Sequence, residues 1–177
     1  MPLITLIGYR GCGKSTVAAL LAERLGCGWK DADVVLEAAV GCSIAEMIGM
    51  RGEAAFRDTE AAILASTLVT FDGVLATGGG VVLRPDNRRL LREVFRPVVW
   101  LSAPAAVVRQ RLAADPTTAV RRPALSGGDP LDEVAAAVAE REPLYHECAD
   151  HIVDTATAAP ATVADAVVAW LRQGWRP

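Results

Sequence analysis

The 177-residue chain lacks a hydrophobic run long enough to cross a membrane. Its longest stretch without a charged side chain extends from Pro97 to Val108, whereas a membrane-spanning helix needs about 20 apolar residues. The N-terminus also lacks the basic segment and cleavage site of a secretory signal and enters a strand-like run at once. We therefore expect a cytoplasmic protein without a membrane partner.

The chain also has little excess charge, few aromatic residues and few cysteines. Its 18 Lys and Arg residues against 21 Asp and Glu give a net charge of −3, and aromatic residues make up 5% of the chain. A nucleic-acid binder needs basic surface and aromatic stacking partners, so we expect no such partner. The four cysteines include no Cys-x-x-Cys pair, which excludes the usual spacing of a zinc site or disulfide framework.

Short apolar runs alternate with sequence of helical spacing along the chain. The predicted strands are Leu3–Ile7, Trp29–Asp33, Gly73–Ala76, Val98–Leu101 and His151–Val153. A predicted helix follows the first strand and ends at Gly26, and Ser43-Ile-Ala-Glu46 has the pattern of a capping box. The alternation predicts one α/β domain over residues 1–177, with a five-stranded parallel sheet flanked by helices.

The segment from Gly8 to Thr16 has the pattern of a phosphate-binding loop, GxxxxGK followed by Ser, between a predicted strand and a predicted helix. Its glycines let backbone N–H groups point at phosphate oxygens, Lys14 adds a positive charge, and Ser15 is placed to hold Mg²⁺. Only 2 of the 18 basic residues are lysines, which favours a specific role for Lys14. The residues predicted to bind ATP here are Gly11, Cys12, Gly13, Lys14, Ser15 and Thr16.

Two carboxylates, Asp31 and Asp33, stand at the end of the second predicted strand. If both belong to that strand, their side chains share one face at the carboxyl edge of the sheet, where ligands of such folds bind. One carboxylate would then serve Mg²⁺ and the other would accept a hydrogen bond from a substrate hydroxyl, a division suited to phosphoryl transfer. A pair of surface turn aspartates is the simpler alternative.

Six motifs follow one another in a fixed order along the chain. They are Gly8–Thr16, Asp31 with Asp33, Phe56-Arg57, Gly78 to Gly80, Arg122-Pro123, and Arg141 ahead of Pro143-Leu144-Tyr145. In this order the chain resembles the shikimate kinase family over nearly its whole length. The resemblance implies a phosphate-loop fold of the nucleoside monophosphate kinase type, with a mobile lid at about 115–129 and substrate-binding helices at about 33–62.

The resemblance also implies a reaction, the Mg²⁺-dependent transfer of the ATP γ-phosphoryl group to the 3-hydroxyl of shikimate in aromatic amino-acid biosynthesis. Lys14 would act on the phosphates, and Asp31 would hold Mg²⁺ together with Ser15. Asp33 would orient the reacting hydroxyl and take its proton. Arg122, carried on the lid, would bind the nucleotide and stabilise charge during transfer.

On the acceptor side, the resemblance implies that Arg57 and Arg141 bind the shikimate carboxylate, as guanidinium forks suit that group. The glycines at 78, 79 and 80 would bring backbone N–H groups close to the substrate. Arg57 also stands at spacings that permit ion pairs with Glu53 and Glu60, so a surface ion pair is its simpler interpretation.

Three points stay open at the level of sequence. The adenine-facing arginine of the family is assigned to Arg111, with Arg109 as the alternative. Ile48 stands where the family often has Phe, so the apolar wall of the acceptor site differs there. The acceptor could instead be quinate, gluconate or a nucleoside monophosphate, and the chain could be a nucleotide-responsive binding module without turnover. We expect a monomer.

Overall fold

Five parallel strands form the central sheet of the protein, which a computed structural model describes for residues 3–95, 97–115 and 133–174. The strands are β1 (Ile4–Ile7), β2 (Gly28–Asp31), β3 (Gly73–Ala76), β4 (Val98–Ser102) and β5 (His151–Asp154). Their order in the sheet is β2-β3-β1-β4-β5, and every neighbouring pair is parallel. The prediction of a five-stranded parallel sheet is therefore confirmed.

Seven helices and one 3₁₀ turn connect the strands within the described residues. The helices are α1 (Lys14–Leu25), α2 (Ala32–Val40), α3 (Ile44–Thr70), α4 (Pro85–Glu93), α5 (Ala105–Ala114), α6 (Glu133–Cys148) and α7 (Pro160–Arg172), and the 3₁₀ turn is Val81–Leu83. The capping box is confirmed at the start of α3, where the Ser43 hydroxyl accepts a hydrogen bond from the Glu46 N–H at 3.2 Å. At Gly52, with φ 80° and ψ 165°, a kink divides α3 into two halves.

Helices cover both faces of the sheet. On one face, α1 and α7 pack against the strands through buried side chains such as Leu21 and Val167. On the other face, α3, α4 and α6 contribute Leu64, Leu91 and Tyr145 to a second buried cluster. Because β1 and β3 are buried on both sides, their sequences are apolar apart from the buried Thr5.

The end of the second strand differs from the prediction. β2 ends at Asp31, and Asp33 lies in the first turn of α2, so the expectation that the two carboxylates share one strand face is wrong. The Asp31 carboxylate accepts a hydrogen bond from the Asp33 N–H at 2.9 Å and thereby caps α2. The sequence alone did not separate the start of this helix from the strand before it. Gly41 ends this helix in the left-handed conformation, with φ 73°.

Helices α2 and α3 pack on each other through a small core of their own. Its buried residues are Leu36, Ile44, Met47 and Phe56, and Ile48 packs against them. These two helices correspond to the range 33–62 expected to bind substrate. Of the range expected to be a lid, residues 116–129 lie outside the described residues, and Arg122 is among them.

The order of the strands places one end of β1 at the centre of the molecule. The chain leaves β1 toward β2 and β3 on one side and later reaches β4 and β5 on the other. Ligands of open α/β sheets bind outside the carboxyl ends of the strands at such a point of reversal. Within the described ranges, no helix is both long and apolar enough to cross a membrane, and all four cysteines are free.

Candidate active site

The phosphate loop connects β1 to α1 at this central position. Gly11 and Gly13 have φ values of 79° and 90°, which favour glycine, and Gly13 lies directly before the first residue of α1. At Gly8, a Cβ atom would lie 2.5 Å from the carbonyl oxygen of Leu101. The three glycines therefore allow the loop to turn tightly and to pass close to β4, with the positive end of the α1 dipole behind it.

The Lys14 side chain folds back over the phosphate loop. Its ammonium donates hydrogen bonds to the carbonyl oxygens of Gly8, at 2.8 Å, and Tyr9, at 3.0 Å. The residue is 8% exposed and lines a cavity in front of the loop. Lysine is scarce in this chain, and at this position its compact ammonium group reaches both carbonyl oxygens.

A hydroxyl and a carboxylate meet at the start of α1. The Ser15 hydroxyl donates a hydrogen bond to Asp31 Oδ2 at 2.5 Å, while Oδ1 of the same carboxylate caps α2. Both groups line the cavity in front of the phosphate loop. Hydroxyl and carboxylate oxygens suit Mg²⁺, which proteins commonly hold through one or two carboxylates and substrate phosphates. The described residues contain no cluster of three or more His, Cys, Asp or Glu side chains that could hold a metal ion by themselves.

The Asp33 carboxylate lies between the phosphate loop and the triple glycine. It lines the same cavity as Lys14, and a Cβ atom at Gly78 would lie 2.7 Å from Asp33 Oδ1. The same hypothetical atom would lie 2.8 Å from Oε1 of Glu60, which is 6% exposed. Gly78 therefore leaves space for two carboxylates, and Glu60, predicted from the sequence only as an ion-pair partner, is buried beside the triple glycine.

The ion-pair interpretation of Arg57 is confirmed, and the residue also belongs to the site. Its guanidinium donates to Glu60 at 2.8 Å and to Glu53 at 3.0 Å, and it lies 4.8 Å above the Phe56 ring. Burial alone would lower the pKa of Arg57, but the two carboxylates, Glu60 foremost, outweigh burial and raise it. Arg57 is therefore a fixed positive charge in the wall of a second cavity.

Space rather than backbone conformation favours glycine at the three positions of the triple glycine, because none of the three has a positive φ. A Cβ atom at Gly80 would lie 2.2 Å from Nη1 of Arg57. One at Gly79 would lie 2.9 Å from the backbone nitrogen of Arg10, in the phosphate loop. The structure thus shows a close approach of the triple glycine to neighbouring parts of the protein, and its approach to a ligand stays a prediction.

Helix α6 contacts the triple glycine from the opposite side. The Tyr145 hydroxyl donates to the carbonyl oxygen of Gly79 at 2.6 Å, and Nη1 of Arg141 donates to the same oxygen at 3.4 Å. The Arg141 guanidinium lies 5.1 Å from the centre of the Tyr9 ring. Burial raises the pKa of Tyr145, so its hydroxyl remains a donor at neutral pH. The sequence marked Tyr145 only as part of a motif.

Two adjacent cavities result from this arrangement. The first, of about 390 Å³, is lined by groups suited to phosphate and Mg²⁺, among them Lys14, Ser15, Thr16, Asp31, Asp33 and Arg111. The second, of about 470 Å³, is lined by apolar and charged groups, among them Ile48, Glu53, Phe56, Arg57 and Arg141. Arg10 and Gly79 line both cavities, so the two lie side by side.

The two arginines considered for the adenine side differ in position. Arg111 donates hydrogen bonds to the Gly11 carbonyl oxygen at 3.3 Å and to the Thr155 hydroxyl at 3.2 Å, and it also bonds the Thr155 carbonyl oxygen. Arg109 is exposed and does not line the cavity. The geometry therefore favours Arg111, which joins the phosphate loop to the segment after β5.

A phosphate loop lies beside a second cavity that contains guanidinium groups. This combination is typical of one class of protein, the phosphate-loop kinases that phosphorylate small molecules. A model of the family described as Shikimate kinase matches residues 10–172. A shikimate kinase from Oleidesulfovibrio alaskensis is 46% identical, over 91% of this chain and 92% of its own length. The chain belongs to the shikimate kinase family.

Solved structures support the same assignment. A shikimate kinase from Acinetobacter baumannii in complex with shikimate is similar with a TM-score of 0.87 and 31% identity, over 98% of this chain and 94% of that chain. A shikimate kinase from Aquifex aeolicus is similar with a TM-score of 0.77 and 26% identity, over 98% and 97% of the two chains. The protein is thus an ATP-dependent small-molecule kinase with the fold predicted from its sequence.

Proposed function

We propose that the protein transfers the γ-phosphoryl group of ATP to the 3-hydroxyl of shikimate, giving shikimate 3-phosphate and ADP, within aromatic amino-acid biosynthesis. The observation that carries this proposal is that two cavities of different chemistry lie side by side and share Arg10 and Gly79 in their walls. One has the phosphate loop and Lys14, and the other has Arg57 and Arg141 for an anionic acceptor. A phosphoryl group passes between two such sites without leaving the protein.

On the nucleotide side, the backbone of residues Gly11 to Thr16 and the ammonium of Lys14 bind the phosphates. Arg111 contacts the adenine side. Ser15 and Asp31 hold Mg²⁺, because their oxygens already lie together at the start of α1. When bound, this ion neutralises part of the charge on the phosphate oxygens.

On the acceptor side, Arg57 and Arg141 bind the carboxylate of shikimate, and the backbone at residues 78–80 contacts its ring substituents. Asp33 orients the reacting hydroxyl and accepts its proton. Positioning and charge stabilisation supply most of the catalysis, since phosphoryl transfer asks little covalent chemistry of the protein. Arg122 would stabilise charge during transfer, and it lies outside the described residues.

The protein acts, in this proposal, as a cytoplasmic monomer of one domain, with small molecules as its partners. Its net charge of −3 supports the exclusion of nucleic acid. Light scattering at micromolar concentration tests the oligomeric state, and the expected mass is that of a single chain of 18.6 kDa.

The test of function is ADP release by the purified protein with ATP and Mg²⁺, comparing shikimate, quinate, gluconate and AMP side by side. Turnover with shikimate well above the others is the expected result. Turnover with another acceptor would support the kinase mechanism. The residues to test for acceptor specificity would then be Ile48 and its neighbours in the second cavity. ATP binding without turnover on any acceptor would favour a nucleotide-responsive binding module.

A further inference from the structure

Arg10 lies where the two cavities meet. Among the described residues, Arg10 and Gly79 line both cavities, and glycine has no side chain. Arg10 is therefore the residue with a side chain that the nucleotide site and the acceptor site share. The transferred phosphoryl group has to cross this junction when it leaves ADP for the acceptor.

Arg10 forms no direct ion pair within the described part of the chain, although carboxylates such as Asp33 and Glu140 line the same two cavities. Ion pairs link Arg57 to Glu53 and Glu60, whereas none in the described part of the chain includes Arg10. Its Nε atom is buried and has no hydrogen-bond partner. A buried donor without a partner costs free energy, and a bound anion would remove that cost.

A second guanidinium reinforces the positive charge at the junction. Arg10 lies 5.9 Å and Arg141 lies 5.1 Å from the centre of the Tyr9 ring. Two guanidinium groups near one ring favour the binding of an anion beside it. Arg141 is tied to the Gly79 carbonyl oxygen on the acceptor side, so Arg10 is the one of the two that also borders the nucleotide site.

We propose that Arg10 binds the phosphoryl group as it passes between the cavities and stabilises its negative charge in the transition state. This inference rests on the proposed function. In the step, the acceptor oxygen forms a bond to the γ-phosphorus while the bond from that phosphorus to the β,γ-bridging oxygen breaks. The electron pair leaves with ADP, and the hydroxyl proton goes to Asp33. Arg10 forms no covalent bond and contributes N–H donors in a planar fork that fits phosphoryl oxygens.

The test compares Arg10→Gln and Arg10→Lys with the wild-type protein in steady-state kinetics. We expect Arg10→Gln to lower kcat by about 10²-fold or more, with KM for ATP and for shikimate changed by less than about threefold, because the interaction forms in the transition state. Arg10→Lys should recover part of the loss. Arg89→Gln is the matched control, since Arg89 is exposed and pairs with Asp86 on the surface.

A kcat within about threefold of wild type, or a loss confined to KM, would overturn the proposal. Thermal unfolding of each variant establishes that the fold is retained. If Arg10→Gln loses activity because it unfolds, the kcat of Arg10→Lys decides the question, because that variant keeps the charge and the apolar stem. A folded Arg10→Lys with wild-type kcat would show that the guanidinium fork is not needed.

A binding measurement separates this proposal from the identity of the acceptor. ADP with Mg²⁺ and aluminium fluoride imitates a transferring phosphoryl group without requiring any acceptor. We expect Arg10→Gln to weaken binding of ADP–aluminium fluoride by about tenfold or more and to leave binding of ADP alone unchanged. Equal affinities in variant and wild type would contradict the role of Arg10, even if shikimate proved to be the wrong acceptor.

Discussion

The positively charged residues of this site are held in place by different kinds of partner. Lys14 is held by backbone carbonyl oxygens, whereas Arg57 is held by the carboxylates of Glu53 and Glu60. A charge held by neutral carbonyl groups keeps its full field for a bound anion, and one held by two carboxylates loses much of it. Lys14 is therefore the stronger source of positive potential at the phosphates.

Replacement of Lys14 tests this difference. We expect Lys14→Ala to lower kcat by about 10²-fold or more, because a charge on the phosphates is lost. Lys14→Arg should not restore activity, since a planar guanidinium does not fit between the carbonyl oxygens of Gly8 and Tyr9. Steady-state ADP release measures both, with circular dichroism to verify folding. Near wild-type turnover in a folded Lys14→Ala protein would rule out this mechanism.

Asp33 is expected to accept the proton of the acceptor hydroxyl. Asp33→Asn keeps the shape of the side chain and removes its basicity, so kcat should fall by about 10² to 10⁴-fold. Nucleotide affinity should remain unchanged, as measured by titration calorimetry with ADP. The control is Asp58→Asn, because Asp58 is an exposed carboxylate that pairs with Arg84 away from the cavities. A similar kcat in both variants would argue against proton transfer to Asp33.

At the scale of elements, the acceptor side depends on how α2 and α3 begin. Asp31 caps α2 and also accepts the Ser15 hydrogen bond, so one carboxylate links the phosphate loop helix to the acceptor helices. Ser43 and Glu46 form the capping box that opens α3. The position of Arg57 follows from the second half of that helix, beyond the kink at Gly52.

Loss of the α3 cap should destabilise the fold measurably. Ser43→Ala leaves a backbone N–H at the helix start without its partner, and we expect a loss of about 1 kcal/mol in the free energy of unfolding. Thermal unfolding should record a fall in Tm of about 2–4 °C for a chain of this size. Ser66→Ala, at an exposed position within the same helix, should leave Tm equal or slightly higher, because Ala favours helix. Equal Tm values for the two variants would contradict the role of the cap.

The triple glycine offers a second test at this scale. Gly80→Ala introduces a Cβ atom that would lie 2.2 Å from the Arg57 guanidinium, so that side chain has to move. We expect KM for shikimate to rise by about tenfold, equivalent to about 1.4 kcal/mol of binding free energy. KM for ATP should change little. Gly28→Ala is the control, because the added atom makes only ordinary contact with Phe71 at 3.9 Å. Unchanged shikimate kinetics in Gly80→Ala would mean that Arg57 does not bind the acceptor.

The whole molecule brings the phosphate loop, the triple glycine and α6 together around one point. Gly79 contacts the Arg10 backbone on one side and accepts hydrogen bonds from α6 on the other. A ligand in the phosphate loop therefore stabilises segments that are distant in sequence. Binding and global stability should consequently be coupled.

Thermal unfolding with nucleotide measures this coupling. At a concentration of about 100 times its Kd, ADP with Mg²⁺ should stabilise the protein by about 2.7 kcal/mol, which raises Tm by about 5–11 °C. Lys14→Ala should lose most of this increase, because it weakens phosphate binding. The measurement is a thermal shift over a range of nucleotide concentrations. A Tm independent of nucleotide would exclude binding to the native state.

The sequence by itself determined the parts of this protein that depend on local pattern. The strands Ile4–Ile7 and Gly73–Ala76 are apolar apart from Thr5 because both of their faces are buried, and α1 follows from helical spacing that ends at Gly26. The phosphate loop is one contiguous motif, so its residues and its place before a helix were predictable together. The order of six motifs predicted the family, which the comparisons confirm.

Only the tertiary structure decided which side chains meet. The sequence placed Asp33 on a strand, and the structure places it in α2, because the Asp31 carboxylate caps that helix two residues earlier. The position of Arg10 between the two cavities and the burial of Glu60 both depend on residues that are far apart in the chain. Contacts of this kind depend on how helices pack across the sheet, and a pattern within one segment does not contain that information.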